Sequence, residues 1–471
     1  MATESVSSPR GPGVLADALA LARWNGRDLI RAINPRLHAM GRPTVDITAG
    51  YHWLKGRVPH DAAVRDVVAV VLAEATGHRY TGVQMWGPGH PESMPGQSRE
   101  TGDLLGPLAV EDVLRVAADF TRGPSGAALV HADGDTLLTT AVWDATRQAA
   151  VPVLIGRGHG DEVVPEFVDM LFDQLAALRR LDDRTGGGPL SQRQARTALR
   201  DSLELIRTGR YTPATGLRLL CHAAGAAQIA GWLTFDAGLA PAAHRYQLLA
   251  IRLARAAGDT TTVSNVLGML AYQHAAGANP RVALRFAHAA VEHSARAVPL
   301  VRARAWGRMA TACASDGDLP GYRRAAERCR DLLDRPHPDN PASLYYLTPE
   351  QVDAEGGQAL VDLAALNPRK RTVLLREAAE LLTPIAARGP AAGYRRSGLL
   401  HSIHLVRSAI GARDADAVAQ WTRVVSEHVP AVQSVRCRAL LGSVRARASR
   451  QLRAAGHTDA LDALRQALST P

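Results

Sequence analysis

Lysine is almost absent from this 471-residue chain: only Lys55 and Lys370 occur, although Lys and Arg together number 55. The net charge of +10 is therefore carried by arginine, as codon bias in a GC-rich genome produces, and it implies a polyanionic partner only weakly. Aromatic residues make up 4% of the chain, which argues against sheets built on aromatic and β-branched side chains. The four cysteines, Cys221, Cys313, Cys329 and Cys437, form no CxxC pair and have no histidine at ligand spacing. That excludes a sequence-readable zinc site and predicts buried thiols in a reducing compartment. No run of 18 apolar residues occurs, and Met1 to Gly13 lacks a hydrophobic signal core, so the expectation is a cytoplasmic protein with no membrane partner.

Ala and Leu at helical spacing are what the chain has in abundance, and they predict an all-α fold. Between Val14 and Thr76 the pattern reads as short helices. One runs over Val14 to Trp24 and another from Gly26, with Leu29, Ile30 and Ile33 on one face. A third follows Pro43-Thr44, where Asp46 or Thr48 can cap it, and a fourth spans Ala62 to Ala75 with an apolar stripe and Gly77 as its stop. Residues 87–108 are rich in Gly, Pro and Ser and read as a linker. Residues 109–165 form a bridging region in which TLLTTAVW and VPVLI read as candidate short strands, a small β element near 127–155.

From about residue 166 to 471 helix follows helix with a repeat. Gly238, Gly277 and Gly317 lie 39 and 40 residues apart, each expected to end the first helix of a hairpin in a left-handed turn. In the second helices, small or apolar residues recur at Tyr246, Ala250, Leu253; at Ala283, Ala287, Ala290; and at Ala325, Cys329, Leu332. Small residues at these steps let helices pack closely, and looser echoes fall at Asn367, Gly411 and Gly456. The predicted organisation is a disordered tail over 1–12, a helical bundle over 13–86, the linker, the bridge, and an α-solenoid over 166–471.

The segment Thr48 to Pro59, TAGYHWLKGRVP, resembles the W-x-x-G-x-x-P run with which helix-turn-helix domains of the Cro/repressor (XRE-like) class leave their third helix. GRDLIRAIN, Gly26 to Asn34, stands where the first motif helix belongs, and Pro35 to Thr44 inserts about ten residues where that class has a tight turn. The resemblance implies that Trp53 packs into the core, Gly56 ends the helix and Pro59 redirects the chain. LDDRTGGGPL (Leu181 to Leu190) and AGWLTFDAG (Ala230 to Gly238) look like actinobacterial regulators that join such a module to tetratricopeptide-like repeats. Members of that group are implied to restrain sporulation or antibiotic production.

What this implies is a transcriptional regulator binding double-stranded DNA, with no enzyme activity, cofactor or metal. A helix-turn-helix reads base edges near the start of its second motif helix and holds phosphates with flanking cations. The expected base contacts are Thr48, Ala49, Tyr51 and His52, and the phosphate contacts Arg27, Lys55 and Arg57. Gly50, in mid-helix, costs about 1 kcal/mol relative to Ala, and His52 holds phosphate less well than a permanent cation would. On the repeats, the first helices should line a concave surface for a peptide or protein ligand, through Gln228, Trp232, Asn265, Met269, Gln273, Arg304 and Arg308. A homodimer through the helical region is expected. The alternative is a tetratricopeptide-like scaffold acting through protein contact, its helix-turn-helix a remnant that no longer binds DNA.

Three decoys read as turns. VPVLIGRGHG (Val151 to Gly160) lacks the glycine spacing and lysine of a phosphate loop. His131, Asp133 and Asp135, and His159, Asp161 and Glu162, hold metal-friendly atoms without a second cluster.

Overall fold

The computed structural model describes residues 12–39, 42–76, 80, 85–86, 110–122, 142–143, 145–146, 156–157, 160–388 and 394–469. Among them are nineteen α-helices and one pair of two-residue strands, so the chain is all-α. The only strand pairing between named strands there joins Gly156–Arg157 (β1) to Arg210–Tyr211 (β2), antiparallel. Most of the candidate β segment over 127–155 lies outside the described residues, and the parts that are described, 142–143 and 145–146, are helical. The chain divides into two compact units, the first made of residues 1–103 and 119–131 and the second of 104–118 and 132–471.

The first unit holds α1 (Pro12–Ala22), α2 (Gly26–Ala39), α3 (Ala49–Leu54) and α4 (Ala62–Thr76). Its core is one cluster in which Leu15, Leu29, Ile30, Ile33, Leu37, Val68 and Leu72 are fully buried. Asn25 caps α2: its Oδ1 accepts from the backbone N–H groups of Arg27 (2.8 Å) and Asp28 (3.2 Å), while Asp28 accepts from the Asn25 N–H at 3.1 Å. The inserted stretch read from Pro35 begins as helix, since α2 continues through Pro35 to Ala39. The loop that follows is pinned by the Asn34 amide, which donates to the Val45 carbonyl and accepts from its N–H, each at 2.8 Å.

A further helix, α5, covers Val110–Arg122. Thereafter fourteen helices pair as seven hairpins: α6 (Pro165–Thr185) with α7 (Pro189–Thr208), α8 (Pro213–Asp236) with α9 (Ala240–Ala256), α10 (Thr260–Ala276) with α11 (Pro280–His293), and α12 (Pro299–Ser315) with α13 (Leu319–Leu333). They continue as α14 (Pro349–Leu366) with α15 (Arg371–Ala386), α16 (Arg395–Ala412) with α17 (Ala415–His428), and α18 (Val435–Ala454) with α19 (Thr458–Ser469). The nine second-helix positions singled out by spacing in α9, α11 and α13 are all buried. Most first helices start with Pro at N1 or N2, where its missing N–H costs nothing.

The turns differ in detail from the glycine expectation. Gly238 and Gly317 do take positive φ, 79° and 81°, but Gly277 has φ −83° and Ala278 carries the left-handed residue at 58°. Gly411 lies inside α16, and Arg413, at 61°, makes that turn.

First helices of successive hairpins pack on one another, and α16 and α18 also pack against α6 and α8. The array therefore returns to its own beginning. Asp236, at the end of α8, accepts from the Gly187 N–H (3.1 Å), the Ser434 hydroxyl (2.9 Å) and Arg436 Nε (3.1 Å). The run Gly186-Gly187-Gly188 sits in this seam: a Cβ on Gly187 would lie 2.4 Å from the Leu233 carbonyl oxygen, and one on Gly188 would lie 1.8 Å from Gln433 Oε1.

Candidate functional site

Two places gather the residues that the sequence singles out. The first is an exposed face of the first unit around α3. Gly26 and Gly50 bring α2 and α3 into backbone contact, since a Cβ on Gly50 would stand 2.2 Å from the Gly26 carbonyl oxygen. Gly50 is thus buried in a helix crossing that has no room for a side chain, beside which the helix-propensity cost of about 1 kcal/mol stands.

The far end of α3 closes with the bonds of a Schellman motif. Gly56 N–H bonds the Trp53 carbonyl (3.0 Å), Arg57 N–H bonds the His52 carbonyl (3.0 Å), and Gly56 has φ 93°. Trp53 is buried and meets Trp86 edge-on with ring centroids 6.1 Å apart. Side chains at Arg27, Thr48, Tyr51, His52, Lys55 and Arg57 are exposed, and Ala49 is half-buried. Thr48 precedes the helix without capping it; its own N–H and hydroxyl donate to Asp46, which these bonds hold below the usual carboxylate range.

The second place is a lumen inside the second unit. A cavity of about 100 Å³ is walled by α6, α8, α10, α12, α14 and α16, by the first residues of α18, and by the connection that carries Tyr345 and Tyr346. Among the described residues, the second helices contribute nothing to it. A second, more apolar cavity of about 670 Å³ adjoins it, and the two share Tyr272, Glu355, Gln358, Leu400 and Arg436 as a partition.

Arg436 holds that partition in place. Its Nε donates to Asp236, its Nη1 donates to the Tyr272 hydroxyl at 2.6 Å, and its guanidinium carbon lies 5.5 to 5.6 Å from the ring centroids of Trp232, Phe235 and Tyr272. Across the lumen, Asp182 accepts from Arg396 Nη2 and from Trp232 Nε1, each at 3.1 Å, and Asp183 accepts from the Tyr345 hydroxyl. Burial pushes Asp182 up to about 6 against the pull of Arg396. Burial also works to raise Asp236, but Arg436 and Arg396 outweigh it and hold that carboxyl below its ordinary value.

Of the seven repeat residues expected to meet a partner, Gln228, Trp232, Met269 and Arg308 line the lumen. Asn265 and Gln273 do not, and Gln273 is buried. Arg304 lies behind the wall, 2% exposed, in a two-pronged bond to Glu355 at 3.1 and 2.6 Å. Even against the burial that opposes it, this pairing keeps Glu355 down at about 2. Arg396 and Arg436 carry no local signature, because their partners lie some 200 residues away in the chain, and Asp182 falls in the LDDRTGGGPL segment, which does not announce that pairing.

No family model, curated protein or solved structure matches the chain. Among the described residues no group of His, Cys, Asp and Glu is arranged to hold a metal ion, and no helix is long and apolar enough to cross a membrane. The three decoy motifs resolve only in part: His131, Asp133, Asp135 and His159 lie outside the described residues, and Asp161 and Glu162 are exposed beside β2.

Proposed function

We propose that the chain is a DNA-binding transcriptional regulator in which a helix-turn-helix in the first unit contacts the duplex and the tetratricopeptide-like array senses a partner that enters its lumen. The observation that carries this reading is the α3 face. A six-residue helix, about 9 Å long at 1.5 Å per residue, is fixed at both ends by backbone contacts, with Tyr51 and His52 exposed on it and Lys55 and Arg57 exposed in the turn that closes it. A helix of this length reaches a few base edges, so a homodimer on two half-sites is part of the proposal.

Mobility shift of the full chain on pooled genomic fragments tests it. Lys55→Ala and Arg57→Ala should each weaken binding on all fragments alike and lower the salt slope by about one. A parent protein that shifts no fragment at low salt, or variants that match it, would end the proposal.

One observation favours a second reading, a scaffold that regulates by protein contact. Asp46 is exposed at the start of α3 and occupies the Thr48 hydroxyl, placing a negative charge where phosphates would approach. Affinity capture from nuclease-treated lysate separates the two readings, because a complex bridged by DNA is lost and a protein complex survives.

A further inference from the structure

The geometry points to the lumen as the binding site of a small, flat organic monocarboxylate. This rests on the reading of the array as the sensing part and replaces a macromolecular partner inside the lumen with a small one.

Size is the first argument. At roughly 10–15 Å³ for each water-sized group, a cavity of about 100 Å³ admits on the order of seven to ten non-hydrogen atoms. That is too little for a folded partner or a helix, and more than an inorganic ion needs.

Charge is the second. Arg179, Arg308, Arg396 and Arg436 line the cavity against the carboxylates Asp182, Asp183 and Glu355, which leaves one guanidinium in surplus. Counting the partners directly behind the wall does not alter this, because Arg304 and Asp236 cancel.

The third argument is where hydrogen-bonding capacity goes unused. Arg308 is 5% exposed and stands over the Tyr272 ring at 4.7 Å. It shares Glu355 with Arg304 at 3.6 Å and donates no hydrogen bond among the described residues. Arg179 gives one long bond, 3.3 Å, to Gln228 and has no ion pair among them. Burial holds both guanidiniums below the ordinary arginine value, which an added anion would relieve.

His401 is fully buried, and its Nδ1 faces the Gln358 amide nitrogen at 2.7 Å. With that amide as donor, the imidazole proton sits on Nε2, a buried nitrogen without a partner, as is Arg436 Nη2. Such unpaired buried groups are costly in an empty site and favourable in a filled one. Asp182 Oδ1, also buried and unpaired, offers an acceptor to a hydroxyl on the same ligand. The rings of Trp232, Tyr272, Tyr345 and Tyr346 in the same wall suit a planar body.

Calorimetry on the full chain without DNA tests this with 4-hydroxybenzoate as the probe, 4-hydroxybenzamide as its neutral isostere and inorganic phosphate as the bare anion. A ligand of this size at ordinary efficiency binds in the micromolar to millimolar range. The expected result is saturable one-to-one binding of the acid, at least about tenfold tighter than the amide, with phosphate far weaker. Arg308→Gln should lose at least about tenfold for the acid and little for the amide. Because the acid and amide comparison uses the parent protein, it stands even if that variant folds poorly. Equal binding of acid and amide, phosphate binding as well as the acid, or no saturation by the acid at about 10 mM would each overturn the inference. Loss of DNA binding in the Lys55 and Arg57 variants leaves the calorimetry unchanged, so the two proposals fail separately.

Discussion

Gly26 and Gly50 meet backbone to backbone where α2 crosses α3, with the Gly26 carbonyl oxygen 2.2 Å from the place a Gly50 Cβ would occupy. Replacing Gly50 with Ala would gain about 1 kcal/mol in helix propensity, but a methyl cannot enter that gap unless the crossing opens. Overpacking of this kind typically costs 1–3 kcal/mol, so Gly50→Ala should be destabilising on balance. Thermal unfolding of the variant followed by tryptophan fluorescence, to which Trp53 and Trp86 contribute among the seven tryptophans, checks this; an unchanged or raised midpoint of the transition contradicts it.

The contact between Arg396 and Asp182 joins α16 to α6 across 214 residues of sequence. Arg396→Ala removes the cation from a carboxylate that is 3% exposed, and stranding one partner of such a pair costs about 3–5 kcal/mol. The double variant Arg396→Ala with Asp182→Asn should recover part of that loss. Urea unfolding of the three proteins measures it, and a single variant within about 0.5 kcal/mol of the parent would show that the pair contributes little.

Acid should destabilise the fold chiefly through buried histidines. Burial lowers His222 and His401 from an ordinary 6.5 to about 4 each. The unfolded chain therefore takes up protons below pH 6.5 while the folded one resists until about 4, and the stability from keeping these rings neutral is present above 6.5 and lost as pH falls through 4. Each contributes on the order of 3 kcal/mol over that interval. Glu355, held at about 2, adds a loss in the same direction from 4.5 downward. Asp182 acts oppositely, because its raised value favours the folded state at low pH and that contribution fades as pH rises toward 6. The urea midpoint is expected to drop between pH 7 and 4.5, less steeply for His222→Asn, and a flat or rising profile refutes the assignment.

Thiol chemistry gives a fourth check. Burial pushes Cys221 up to about 12 and Cys313 and Cys329 up to about 11, while Cys437 is fully buried and also raised. None of the four should react quickly with a disulfide reagent at pH 8 in the native protein, and all four should react in denaturant. A rapid native phase would place one of them in a more open environment.

Local patterns made the helices readable. The apolar stripe places the fourth helix at Ala62 to Ala75, and it ends at Thr76; the 39- and 40-residue glycine spacing marks hairpin turns that are present. The helix through Pro35 escapes a sequence reading because proline ordinarily argues for a stop, and here the cost is met by Leu37 seated in the core. Ala278 in place of Gly277 as the left-handed residue is a shift of one position that spacing cannot resolve.

Within the lumen, Gln228, Trp232, Met269 and Arg308 follow from helical periodicity on first helices. Arg304 and Gln273 obey the same periodicity but turn inward, and only packing decides which. Arg396, Arg436 and the pairing of Asp182 are invisible to any local rule, since what makes them special is a chain closing on itself.

That seam between Gly187, Asp236 and Ser434 removes the free ends that an open stack of repeats would have. Open stacks fray from their termini and lose repeats one at a time. Here cutting the chain before Ser434 would leave the carboxylate of α8 with the Gly187 N–H alone and take away Ser434 and Arg436, so shortening the array at its tail wounds it at its head. Such a hoop should melt all at once or hardly at all.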